Sequence, residues 1–228
     1  MAAAAAGQMR DSLLGSISSV AMETIRLLPE GIIAASGVYA LFTLSLPFTI
    51  FFGSMIEASL IYRLIGWMAS YLSLSSSSGT SAYTKMCRSS FASTADYTAL
   101  TSLKVLPSSG SFPSYPYFML TAASAYLFST LNKLSKELEA LGPAYSSRYY
   151  SSMIFLGLLS LVFFTFRMNY GCESFSVLVM TLVAGLLVGV GLVQQNSALF
   201  GQESMNLIGI PLLRNRTASG QSIYICPK

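Results

Sequence analysis

With 53% apolar and only 10% charged side chains in 228 residues, and a mean hydropathy of +0.60, the chain lies outside the composition of a soluble globular domain. Its formal charge is +4, but the 13 Lys and Arg are scattered through the connecting segments and form no basic run, which argues for loops beside lipid headgroups and against nucleic acid. No histidine is present, so the commonest general base and metal ligand is missing.

The amino-terminal MAAAAAGQMR has neither a basic leader before an apolar core nor a Gly at position 2, so a signal peptide and myristoylation are unsupported. The first span is expected to act as its own insertion signal. Within residues 1–30, Met9 to Leu28 places Leu13, Leu14, Ile17, Val20, Ala21, Ile25 and Leu28 at helical spacing, with Pro29 as the expected stop. This amphipathic helix would lie on the membrane surface, on a partner or against the protein's own spans.

Residues 31–73 are read as a first span, Gly31 to Ile56, kinked near Pro47, followed by an interfacial helix. That helix puts Ile56, Leu60, Leu64, Trp67, Met68 and Tyr71 on one side and Ser59, Arg63, Gly66 and Ser70 on the other; a fifth span is the alternative. Glu57 falls toward the apolar side, in what would be the first turn, where the helix dipole favours an anion. Residues 74–114 form a Ser-rich loop, punctuated by Gly79, Pro107, Gly110 and Pro113, with no sustained hydrophobic period.

Residues 115–200 are expected to form a three-span helical bundle. Its spans are Tyr115 to Leu131, Tyr149 to Phe166, and an uncharged stretch from Ser174 whose first 20 or so residues match the thickness of a bilayer. The first of these helices is expected to run on to Leu141, with Lys133 and Glu137 paired at i,i+4 and Gly142-Pro143 ending it. The last two are joined by a tight hairpin, and the final helix continues through QQNSALF until Gly201 breaks it. The tail, 201–228, mixes apolar and β-prone pieces with turn signals and reads as ordered. The expected fold is therefore an all-α integral membrane protein with about four transmembrane helices, an amphipathic amino-terminal helix, an interfacial helix and a short ordered tail.

Little in this chain suggests chemistry. The three cysteines, Cys87, Cys172 and Cys226, are far apart and in no CxxC pattern, and no serine sits in a G-x-S-x-G context. Catalytic, cofactor-binding and metal sites are all expected to be absent, as is a small-molecule substrate. The spans carry no ionisable residue; Glu57, Arg63, Arg167 and Glu173 come closest and can be placed at an interface. Gln194, Gln195 and Asn196 form a polar triplet suited to interhelical hydrogen bonds. Gly185 and Gly189 make a GxxxG pattern for close helix packing, within the chain or between copies. In the tail, Leu207, Ile208, Ile210, Leu212 and Leu213 are too apolar to stand in water and are expected to contact a partner or fold back on the bundle. Asn215-Arg216-Thr217 is a glycosylation sequon, silent in a cytosolic tail.

Four spans would group Arg10, Arg26, Lys133, Lys136, Arg148, Arg214, Arg216 and Lys228 on one side, against Arg63, Lys85, Arg88, Lys104 and Arg167. The excess places both termini in the cytosol. The thiols are expected to be free if assembly is cytosolic, with a Cys87–Cys172 bridge as the sole intramolecular exception.

From Pro113 to Cys226 the chain resembles a family of small integral membrane proteins in nucleocytoplasmic large DNA viruses of the algal and amoebal type. The resemblance rests on Glu137 to Gly142 (ELEALG), Ser147-Arg148-Tyr149-Tyr150, Gly171-Cys172-Glu173 and FGQESMNLIGIPLL from Phe200 to Leu213. It implies a structural protein of the virion's internal membrane, inserted first in a host intracellular membrane. There it would anchor or bridge the bilayer to the capsid shell in a minor-capsid role. The implied partners are the lipid bilayer, capsid or other virion proteins and, optionally, a second copy of the chain. The alternative function is a small membrane channel or transporter subunit, which would call for a polar lining or paired repeats.

Overall fold

The structure is a computed structural model that describes residues 24, 27–71, 87, 112–135, 138, 143–201 and 205–207. Among these it is all-helical: α1 (Leu27–Thr43), α2 (Leu46–Tyr71), α3 (Tyr115–Lys133), α4 (Pro143–Asn169) and α5 (Phe175–Phe200). Three regions, α2, Ser147–Asn169 of α4, and α5, are long and apolar enough to cross a membrane.

Two boundaries near the amino terminus differ from those expected. Pro29 does not stop a helix; it lies buried within α1, as membrane helices allow where neighbours take up the freed backbone groups. The chain also breaks at Leu44–Ser45, ahead of Pro47, and α2 then runs unbroken past Ile56. Leu44 takes a left-handed backbone with φ of 48°, and the Ser45 carbonyl accepts both the Thr49 amide and its hydroxyl at 3.0 Å, which starts the new helix. Pro47, having no amide hydrogen to donate, fits this first turn. Thus neither a single kinked span over 31–56 nor a separate interfacial helix is observed.

The break folds α1 back antiparallel to α2. Tyr39 and Phe48 have ring centroids 4.3 Å apart, and a Cβ at Gly37 would come within 2.8 Å of the Phe52 ring. Farther along, Leu28 and Ile32 pack with Tyr117, Leu120, Phe163 and Leu178. Leu27 therefore lies at the end of the bundle where α3 and α5 begin. We call this the hairpin end, after the α4–α5 turn, and the opposite one the tail end. The expected grouping of the amino-terminal side with the tail does not match this arrangement.

α3 is the central pillar. Every residue from Pro116 to Tyr126 is buried, and α2, α4 and α5 all pack on it, α5 most extensively. Its small middle, Thr121-Ala122-Ala123-Ser124-Ala125, makes it less apolar than α2 and α5 and lets its neighbours approach. Its regular run, Tyr115–Lys133, is interrupted by a turn at Leu134; Ser135 and Leu138 are again helical, with the Leu138 amide donating to the Leu134 carbonyl at 3.0 Å, while Glu137 and Leu141 lie outside the described residues.

The outer helices point large apolar side chains outward. On α2, Ile56, Leu60, Leu64, Trp67, Met68 and Tyr71 are exposed while Met55, Ala58, Tyr62 and Ala69 are buried. The apolar side of the expected interfacial helix is therefore the outer face of a long helix. α4 and α5 do the same with Phe155, Leu158, Leu161, Leu187 and Val190, giving a surface suited to hydrocarbon.

The hairpin and the final helix follow the sequence closely. Gly171, at φ of 63°, turns the chain, and the Ser174 side chain accepts the Val177 amide at 3.4 Å to cap α5. The helix continues through Gln194, Gln195 and Asn196 to Phe200, and Gly201, at φ of 77°, ends it.

Candidate functional site

The polar residues fall into two clusters that tie helices together. At the hairpin end, Arg167, near the close of α4, and Glu173, in the turn before α5, are buried among the helices, being 3% and 7% exposed. Arg167 Nε donates to Glu173 Oε2 at 2.6 Å, and its Nη2 makes a second contact to Oε1. The Ser114 hydroxyl donates to Glu173 Oε1 at 2.8 Å. The Ser114 amide donates to the Thr181 hydroxyl at 3.1 Å, which itself donates to the Val177 carbonyl at 2.6 Å. α3, α4 and α5 are thereby joined through one carboxylate whose charge is met by a forked guanidinium. Tyr62 brings in α2 by donating to the Pro113 carbonyl at 3.0 Å.

Cys87 and Cys172 form a disulfide at this same end, pinning one residue of the Ser-rich segment to the hairpin. The expectation of free thiols is corrected to that extent. The observed pair is the one the expected topology allowed; Cys226 lies outside the described residues.

Nearer the tail end, Asn196 Nδ2 donates to Ser54 Oγ at 2.7 Å and to Tyr126 Oη at 3.0 Å, linking α5 to α2 and α3. Gln195 Nε2 donates to Glu57 Oε1 at 2.9 Å. Glu57 is not in the first turn of a helix but midway along α2, so its misplacement among apolar residues is explained by this partner, not by a helix dipole.

Gly185 and Gly189 are both buried on the face of α5 that meets α3. A Cβ at Gly185 would collide with the Thr121 hydroxyl, and one at Gly189 with the Ala122 carbonyl and, at 2.7 Å, with Ala125 Cβ. The seam is thus internal to the chain. Gly191 faces open space.

Of the expected contact residues in the tail, Leu207 is half-buried and packs on the main core beside Met205, which is fully buried. Ile208, Ile210, Leu212 and Leu213 lie outside the described residues.

Between α3 and the start of α4, at the tail end, lies an apolar groove of about 770 Å³ walled by Leu127, Leu131, Phe155 and Leu156. Leu207 and Arg148 also line it. Thr130, 2% exposed, contributes a hydroxyl with no hydrogen-bond partner. This groove was not legible in the sequence, because its walls come from helix faces that look like ordinary lipid-facing surface. Among the described residues, no group of three His, Cys, Asp or Glu is placed to hold a metal ion.

Compared with known proteins, the chain matches no family, curated protein or solved structure.

Proposed function

We propose that this chain is a structural membrane protein of a large DNA virus, tying the virion's internal membrane to its capsid shell. The observation that supports this best is how the polar groups buried within the bundle are used. Arg167, Glu173, Ser114 and Thr181, and again Asn196, Ser54 and Tyr126, bond one another across helices, as in a rigid anchor. A conduit would turn such groups toward a shared path. The bundle crosses the bilayer with α2, α3, α4 and α5, and α1 doubles back beside α2. Because disulfides persist in oxidising compartments, we read the hairpin end, which carries the Cys87–Cys172 bridge, as facing such a side and the tail end as facing the cytosol, where a shell would assemble.

The tail beyond Leu207 is the proposed contact. Met205 and Leu207 belong to the core, so truncation must follow them to be informative. A chain ending at Leu207 is expected to insert and remain folded in detergent while its copurification with the shell falls at least tenfold. Normal incorporation of the truncated chain would remove the tail from this role. If the full chain were recovered only as a free detergent-soluble oligomer, with no shell protein, the anchor reading itself would fail.

A further inference from the structure

We propose that the groove between α3 and α4 is a binding site for one anionic glycerophospholipid, with an acyl chain along the groove and the phosphate at Arg148. The first argument is the state of Thr130. Thr43, Thr49, Thr121, Thr165 and Thr181 each donate their hydroxyl to a carbonyl three or four residues back in the chain. Thr130 makes no such bond, although it is helical and almost wholly buried. A buried hydroxyl without a partner is costly, and this one lines the groove, where a lipid ester carbonyl can accept from it.

The second argument is the distribution of polarity. The walls contributed by Leu127, Leu131, Phe155 and Leu156 match an acyl chain, and about 770 Å³ lies within the roughly 300–1,000 Å³ typical of small-molecule sites. Arg148, exposed near the start of α4, adds a guanidinium whose forked donors suit a phosphate. Basic pockets between helices on the cytoplasmic side are places where anionic headgroups bind. Only the choice of leaflet rests on the orientation proposed above; the test below is read without it, in detergent and without any shell protein.

The test uses the full-length protein in mild detergent, supplied with phosphatidylglycerol or with phosphatidylcholine of the same acyl chains. Native mass spectrometry counts the adducts that survive collisional activation. One phosphatidylglycerol per chain is expected, with phosphatidylcholine at least tenfold weaker. Leu127→Trp, which fills the groove, should abolish the adduct. Arg148→Gln should weaken retention about tenfold and erase the preference between headgroups. Thr130→Val, which keeps the shape and removes a hydroxyl that has no protein partner, should leave thermal stability intact and weaken retention roughly fivefold. Equal retention of both lipids, an adduct that survives Leu127→Trp, or unchanged retention in both milder variants would overturn the proposal. So would retention that appears only once residues 208–228 are removed, which would make the tail the occupant of the groove.

Discussion

The two ends of the bundle differ in how completely the space between their helices is closed. At the hairpin end, a carboxylate, a guanidinium, two hydroxyls and a disulfide close on one another, and α2, α3, α4 and α5 are all held there. At the tail end, α3 and α4 leave a groove between them, and the Thr130 hydroxyl on its wall has no partner. The difference separates stability from available surface: the hairpin end is closed by its own polar contacts, whereas the tail end, beside the satisfied Asn196 cluster, keeps an open apolar groove with one unmet hydroxyl.

The comparison can be broken most directly at Glu173. Glu173→Gln leaves Arg167 buried without its counter-charge, a change that costs about 3–5 kcal/mol, and should lower the thermal midpoint in detergent sharply. Replacing both partners together, Arg167→Met with Glu173→Leu, should recover most of that loss. If the double variant were as unstable as the single one, hydrogen bonds from Ser114 would matter more than the charge pair.

A smaller effect is expected along the α3–α5 seam, which runs between the two ends. Gly189→Ala drives a methyl into the Ala122 backbone and should cost roughly 1–3 kcal/mol. Gly191→Ala, two residues on and facing open space, should stay within about 0.5 kcal/mol of the parent. Equal midpoints for the two variants would mean that the helices separate more easily than their packing implies.

A modest loss is expected from Asn196→Leu, which removes two interhelical hydrogen bonds, each worth only about 0.6 kcal/mol on average inside membranes. Hydrogen exchange should rise locally on α2 around Ser54, with the hairpin end unaffected. Loosening that reached the hairpin would show that the ends are coupled after all.

α4 and α5 were readable from sequence because their apolar runs are long and their limits, Gly171, Ser174 and Gly201, are strong local signals. The division of α1 from α2 was not. Leu44 and Ser45 carry no turn signature, and the nearby signal, Pro47, belongs to the start of the next helix. The central place of α3 was hinted at by its small, mildly polar residues, which make sense only once neighbours surround them. Gly185 and Gly189 were legible as packing positions, yet their counterpart on α3 was not, since Thr121 and Ala122 are ordinary helix residues. The pairing of Glu57 with Gln195 joins positions 138 apart, a relation that no local pattern encodes.

The seam formed by Gly185 and Gly189 also bears on stoichiometry. GxxxG faces are a familiar means for one helix to recognise an identical one, but here α3 of the same chain already fills that face. A second copy could use it only by evicting the central helix. Among the described helices, the apolar surface left for a second copy is the outer faces of α1, α2, α4 and α5, which display large side chains such as Phe42, Trp67, Phe155 and Leu187 in place of small ones.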